Sequence, residues 1–261
     1  MALITKTTLD FLYNKYNKKE YIHPDPLEFL YFYNNTNDRE IIGLIASSLA
    51  YGRVNQILKS VSSIISLMKV SPYDFLMKSN LLSLKETLKD FKHRFTKGDD
   101  IANMLIGAKK IIENHGSLYN FFLSHINEKD DTVLPVLELF VEKIFEGSCD
   151  CGHLLPKPSK KSPCKRLNLF LRWMVRKDDV DPGGWDEIPA SKLVVPLDTH
   201  LHKISIKLGI ISDKQANMQS ALKITNFFKT ITPADPVKYD FVLTRFGIRK
   251  DLNISDLFIQ N

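Results

Sequence analysis

The sequence contains few cysteines and no long apolar segment. Its 261 residues include three cysteines, an odd number that argues against a disulfide framework and favours a reducing compartment. No run of 18 or more apolar residues occurs, and residues 1–16 lack the basic, apolar and small-residue sections of a signal peptide. We therefore expect a cytoplasmic protein that has no membrane-spanning segment.

The cysteines give little support to a metal site. Cys149, Cys151, His153 and Cys164 carry the right ligand types. However, Cys-x-Cys-x-His is not a usual spacing for structural zinc, and the fourth ligand would follow a lysine-rich loop. We therefore expect neither a metal nor another cofactor.

Strand-like alternation is scarce, and internal repeats and low-complexity tracts are missing. Apolar residues recur instead at helical spacing, which predicts an all-α protein, and 44% hydrophobic content can fill one core. We expect a single helical unit over residues 1–261, with lobes of roughly 38–150 and 1–37 plus 151–261. The pattern predicts helices over 38–49, 55–67, 99–114, 134–144, 162–176, 197–208, 221–231 and 239–246, the last closed by Gly247.

Two polar residues begin helices in the second half of the chain. Ser162-Pro163 fits an N-cap followed by a first-turn proline, which places Lys165 in the first turn, and Asp198 stands at or near another N-cap. A helix start and nearby basic residues favour the neutral, nucleophilic form of an amine. A nearby carboxylate can stabilise a developing positive charge. A solvated lysine and a simple capping aspartate are the commoner roles for such residues.

A resemblance to a known superfamily favours the chemical interpretation. The segment from Val195 to Leu201, which contains Pro196-Leu197-Asp198-Thr199-His200, resembles the Val-Asp-Thr-His segment of helix-hairpin-helix DNA glycosylases such as endonuclease III. Lys165-Arg166-Leu167 stands where bifunctional members carry the lysine that follows the hairpin. Residues 45–57 resemble the helix–turn–helix of 8-oxoguanine glycosylases that wedges into DNA. The resemblance extends over roughly 38–125 and 155–210.

Within that superfamily, the chain resembles a bacterial family of uncharacterised proteins and the archaeal 8-oxoguanine glycosylases. The signatures of the bacterial family stand here as Cys164 to Arg166, Phe170 to Arg176 and Pro196 to His200. Two features depart from endonuclease III. Residues 155–162 replace its glycine hairpin, and no cysteine follows Cys164 to hold an iron–sulfur cluster. Lysine side chains and helix-start amides would then have to hold phosphate.

The resemblance implies a DNA repair glycosylase that removes an oxidised purine such as 8-oxoguanine through a lysine Schiff base, with AP lyase activity. Lys165 and Asp198 would be catalytic, and the fold would be a two-lobed glycosylase-like fold with a modified helix-hairpin-helix. We expect a nucleoid-associated monomer whose partner is duplex DNA containing damaged bases. The expected DNA contacts are Lys157, Lys160, Lys161, Arg166, Arg172, Tyr51, Arg53 and Asn55.

The expected base pocket contains Trp173, Trp185 and His200, and Trp185 in the glycine-rich loop is the better stacking candidate. Packing roles stay open for Trp173 and for Tyr51, and a structural hydrogen bond for His200. Two other functions also remain open. One is a catalytically inert DNA-binding protein of the same fold, and the other is an RNA-binding factor.

Overall fold

The protein is mostly helical in a computed structural model that describes residues 4–69, 71–147, 153–253, 255 and 257. The all-α prediction is confirmed over these residues, where the only strands are two of two residues each that form one hairpin. The helices are α1 Lys6–Tyr16, α2 Thr36–Ser48, α3 Val54–Leu67, α4 Pro72–Lys78, α5 Leu81–Thr87, α6 Gly98–His115, α7 Leu118–His125, α8 Leu134–Ile144, α9 Lys165–Val175, α10 Thr199–Lys207, α11 Met218–Ile231 and α12 Asp240–Ile248. Strands β1 Lys92–His93 and β2 Thr96–Lys97 pair antiparallel, and short 3₁₀ turns cover Lys19–Tyr21, Pro26–Phe32, Pro158–Lys160 and Ala190–Lys192.

Polar caps explain where many helices begin. A side-chain oxygen that precedes the first turn accepts a backbone N–H, which satisfies a donor that the helix itself leaves free. The capping residues are Thr5, Asn35, Ser71, Asn80, Ser117, Asp198 and Asn217. The predicted boundaries of α2, α3, α6 and α8 lie within about two residues of the observed ones.

Helix α9 begins later than the sequence predicts. Cys164 has φ of 47°, so the chain turns in the left-handed region there and Lys165 becomes the first helical residue. Ser162 does not cap α9, since its Oγ accepts from Cys164 N at 3.3 Å inside the preceding turn. The predicted start at Ser162 is therefore wrong, and Lys165 lies at the helix end itself.

The prediction that Gly247 closes the last helix is wrong, because Gly247 lies within α12. A Cβ added at this position would lie 2.5 Å from Nδ1 of His200, closer than real Cβ atoms approach. Gly247 therefore allows α12 to pack directly against the His200 ring at the start of α10. This close approach brings the end of α12 next to the start of α10.

The helices share one continuous set of buried apolar side chains. Helix α2 packs against α9 and the Pro26–Phe32 turn, α6 packs against α5, α7 and α8, and α12 packs against α10 and α1. The α1–α12 packing brings the two ends of the described chain together. Across the described residues, every helix is too short or too polar to span a membrane.

Candidate functional site

A pocket of about 580 Å³ lies where the starts of α9 and α10 and the length of α12 meet the turn between α2 and α3. This volume lies within the range of about 300–1,000 Å³ that is usual for small-molecule sites. Its lining includes Lys165, Asp198 and His200 from the sequence-predicted site, and the turn residues Tyr51 and Gly52. The structure therefore brings together the two residues that the sequence singled out for chemistry.

Lys165 enters the pocket without a counter-ion. Its Nζ donates to the backbone oxygen of Ala50 at 3.3 Å, which holds the amine against the end of α2. Within the described part of the chain, no carboxylate lies at ion-pair distance from this Nζ. An amine that is not locked to an acid can approach an electrophile more readily.

Asp198 is held in one orientation by its role as the N-cap of α10. Its Oδ1 accepts from His200 N at 2.9 Å and from Leu201 N at 2.8 Å. Its second oxygen makes no hydrogen bond to any described residue. The carboxylate is thus oriented by the helix start and still has one oxygen available on the pocket side.

The inner end of the pocket is closed by buried charges. Arg172 and Asp240 form a buried ion pair, and Nε of Arg172 lies 3.2 Å from Oδ1 of Asp181. Both oxygens of Asp181 are occupied, because the second accepts from Arg176. Arg172 is only 3% exposed, so the prediction that it contacts DNA phosphate is wrong. Its partner Asp240 is 68 residues away in the sequence, which is why the pattern did not reveal the pair.

Asp240 is the first residue of α12 and was not singled out by the sequence. Burial raises the pKa of its carboxyl to about 6, against the opposing effect of Arg172, and the nearby charge of Asp198 raises it further. Arg245 lies on the same helix, and its Nη2 is 2.8 Å from Oδ2 of Asp25. Asp240, Arg245 and Asp25 line the pocket together with Arg172 and Asp198, whereas Asp181 and Arg176 do not.

The two tryptophans do not line the pocket, so their predicted stacking roles are wrong. Both are fully buried. The loop that contains Trp185 folds back onto the end of α9, where Gly183 N and Trp185 N donate to Trp173 O and Met174 O. The indole Nε1 of Trp185 then donates to Oε1 of Glu40 at 2.9 Å, inside an aromatic cluster with Phe122 and Phe170. His200 is the one predicted base-pocket residue of the three that lines the pocket.

The basic residues before α9 have different surroundings. Lys160 and Lys161 are exposed, whereas Lys157 lies 3.2 Å from Glu142 in a partly exposed ion pair. Such a surface pair is weak and can exchange for another anion. Arg166 donates to the backbone oxygens of Ser48 and His153 and so connects α9 to the end of α2. The prediction that Arg166 contacts DNA phosphate is therefore wrong.

The turn between α2 and α3 forms part of the pocket rim. Gly52 has φ of 97°, which favours glycine there, and Arg53 and Asn55 are exposed beside it. Tyr51 is half-buried, with its hydroxyl donating to His93 O at 2.9 Å. The side chain of Tyr51 is therefore held against the hairpin. A residue that fills the gap left by a flipped base would have to project outward, and Tyr51 does not.

The hairpin formed by β1 and β2 presents an aromatic residue that the sequence did not indicate. Phe95 is 69% exposed, and its ring is parallel to that of Tyr51 with centroids 6.5 Å apart. The guanidinium carbon of Arg94 lies 5.2 Å from the centroid of Phe95. The two tip residues lack the Gly or Asn that usually identifies a two-residue turn, and Arg94 itself adopts a φ of 53°.

The metal alternative is only partly covered by the structure. Cys149 and Cys151 lie outside the described residues. Cys164 is buried, its Sγ donates to Pro156 O at 3.2 Å, and burial raises the pKa of its thiol to about 12. Across the parts of the chain that the structure describes, no three His, Cys, Asp or Glu side chains converge as a metal site.

Comparison with known proteins identifies a family. A model of the family described as "Protein of unknown function (DUF2400)" matches residues 25–249, so the chain belongs to that family. The match contains Lys165, Asp198 and Asp240 and covers most of the chain. Searches of curated proteins and of solved structures gave no match.

Proposed function

We propose that this member of the DUF2400 family is a lysine-dependent DNA glycosylase with AP lyase activity, which acts on a damaged base in duplex DNA. The observation that carries the proposal is the pocket shared by Lys165, whose amine has no ion-pair partner among the described residues, and Asp198, whose carboxylate is held by a helix start. An oxidised purine is the preferred substrate on the basis of the sequence resemblance.

The pocket residues suit a specific sequence of bond changes. As the bond between C1′ and the base breaks, its electron pair leaves with the base, which takes up a proton. Asp198 stabilises the positive charge that develops on the sugar, and Lys165 Nζ forms a bond to C1′. Opening of the sugar ring then gives a Schiff base, with the two amine protons leaving and one proton going to the ring oxygen. Loss of the C2′ proton and of the 3′ phosphate completes strand cleavage.

The rim of the pocket supports a nucleic-acid partner. Phe95 offers an exposed ring beside Arg94, and Arg53 and Asn55 are exposed at the adjacent turn. An exposed aromatic residue can enter a base stack that has lost one nucleotide, while cations nearby contact phosphate. We therefore assign the gap-filling role to Phe95 and not to the anchored Tyr51.

The two-lobed glycosylase fold with a modified helix-hairpin-helix remains part of this proposal. In place of the glycine hairpin the chain has a 3₁₀ turn at Pro158–Lys160, followed by positive φ values at Lys161 and Cys164. These turns lead directly into α9, whose first amides and the exposed Lys160 and Lys161 suit a DNA phosphate.

A panel of lesion duplexes tests the proposal. Wild-type protein and Lys165→Gln are incubated with duplexes that contain 8-oxoguanine, another oxidised purine or uracil, and base release is measured. We expect the wild type to release at least one lesion base, and Lys165→Gln to form no Schiff base while still binding DNA. If the wild type excises nothing and forms no adduct with an abasic site, the inert DNA-binding alternative replaces the glycosylase.

A further inference from the structure

Two residues that line the pocket each have one buried polar atom without a hydrogen-bond partner among the described residues. The atoms are Oδ1 of Asp240 and Nε of Arg245, and both residues are 2% exposed. One atom is an acceptor and the other is a donor. Both residues line the pocket that also contains Lys165 and Asp198.

The neighbouring atoms of the same charge network are occupied. Oδ2 of Asp240 accepts from Arg172, and both oxygens of Asp181 accept from guanidinium groups. Nη2 of Arg245 donates to Asp25 at 2.8 Å. A buried acceptor and a buried donor left unsatisfied are unfavourable unless a ligand or water completes them, and both occur at the pocket.

We propose that Asp240 and Arg245 recognise the base that enters this pocket by its lactam edge. Oδ1 of Asp240 accepts a hydrogen bond from a ring N–H, and Nε of Arg245 donates to the adjacent carbonyl oxygen. The inference rests on the proposed function, because it assigns the substrate class of the same site.

The lactam edge defines the class of base. 8-Oxoguanine carries a ring N–H beside a carbonyl at N7 and C8, whereas 1,N6-ethenoadenine has no ring N–H. A site that hydrogen-bonds such an edge rejects a base that lacks it, because its own buried polar atoms would then stay unpaired. We therefore expect lactam-bearing lesions to be excised and ethenoadenine to be a poor substrate.

Matched variants separate recognition of the base from the chemistry of the sugar. In Asp240→Asn, the amide oxygen turns toward Arg172, so an NH₂ donor replaces the pocket acceptor. Arg245→Lys keeps a positive charge near Asp25 but removes the Nε donor. Asp235→Asn is the control, since Asp235 pairs with Arg176 at 2.9 Å and does not line the pocket.

Each variant is assayed in two ways. One assay measures single-turnover release of 8-oxoguanine from a duplex, and the other measures borohydride trapping on a duplex that already contains an abasic site. We expect Asp240→Asn and Arg245→Lys to release the base at least about tenfold more slowly, the loss typical of one charge-assisted hydrogen bond. Trapping on the abasic site involves no base and should change by less than about threefold, and Asp235→Asn should resemble wild type in both assays.

Three results would overturn the inference. Release of 8-oxoguanine at the wild-type rate by both variants would show that the base does not contact them. An equal loss in both assays would show a structural role instead. If the wild type traps no abasic DNA at all, the proposed function itself fails, and the inference fails with it.

Discussion

Two buried carboxylates in this protein have opposite surroundings. Glu40 on α2 accepts from Leu118 N at 2.9 Å, Tyr119 N at 3.0 Å and Trp185 Nε1 at 2.9 Å, and none of its oxygens is left over. Asp240 accepts from Arg172 with one oxygen, and its other oxygen has no partner in the part of the chain that the structure describes. Burial raises the pKa of both groups, to about 7 for Glu40 and to about 6 for Asp240.

The difference separates a structural region from a candidate functional one. Glu40 connects α2 to the start of α7 and to the loop that carries Trp185, so its three hydrogen bonds hold parts of the fold together. Asp240 accepts from one guanidinium group and belongs to the lining of the pocket. A raised pKa alone therefore does not distinguish a candidate site in this molecule from a structural carboxylate, whereas the hydrogen-bond sets of the two groups differ.

Of the changes that compare the pocket with the structural region around Glu40, we expect the largest loss of activity from a change at Asp198. Asp198→Asn keeps an N-cap for α10 but removes the negative charge beside the sugar. We expect base release to slow by about 10²-fold, as is typical when one electrostatic contact to the transition state is lost. Single-turnover kinetics on a lesion duplex measure the rate, and thermal unfolding checks the helix cap. An unchanged rate would contradict a catalytic role for Asp198.

The matched change in the structural region is Glu40→Gln. One amide oxygen cannot replace a carboxylate that accepts three hydrogen bonds, so at least one N–H loses its partner. We expect the free energy of unfolding to fall by about 1–3 kcal/mol, with abasic-site trapping unchanged. Urea unfolding measures the first quantity. A loss of trapping in a folded Glu40→Gln protein would erase the distinction between the two regions.

Glu40 also gives a pH dependence with a defined sign. Its pKa is about 7 in the folded protein, above its ordinary value of 4.5, so the folded state binds this proton more tightly. The resulting stabilisation is complete below about pH 4.5 and is lost as the pH rises through 7. The difference in unfolding free energy between wild type and Glu40→Gln should therefore be larger at pH 5 than at pH 8. A difference that grows with pH would contradict the raised pKa.

The smallest expected effect concerns the rim. Phe95→Ala removes the exposed ring beside the pocket, and we expect about tenfold weaker binding to a lesion duplex, in the range for loss of one base-stacking contact. Phe32→Ala is the control, because Phe32 is 70% exposed against 69% for Phe95, but its ring packs against Phe29, whereas Phe95 stacks on the pocket residue Tyr51. Fluorescence anisotropy at fixed salt measures both affinities. Equal affinities for the two variants would remove Phe95 from the interface.

Local patterns predicted eight of the helices and placed Lys165 and Asp198 near the starts of α9 and α10. They did not indicate α1, α4, α5 or α7, and they began α9 at Ser162 instead of Lys165. Cap residues and apolar periodicity are properties of neighbouring positions, so they can be read from one segment. The burial of Trp185 could not be read in this way, because it depends on backbone hydrogen bonds from a glycine-rich loop to the end of α9. The Arg172–Asp240 pair and the hairpin tip at Phe95 likewise depend on residues distant in the sequence or on a turn without its usual residues.

The central claim is that Lys165 is the amine that attacks C1′. The most direct measurement is borohydride reduction of the protein on a duplex with an abasic site, followed by proteolysis and mass spectrometry to identify the modified residue. We expect a covalent adduct on the peptide that contains Lys165, and none with Lys165→Gln, although this variant still binds the duplex. An adduct on Lys160 or Lys161 that persists in Lys165→Gln, or no adduct at all with wild type, would contradict the claim.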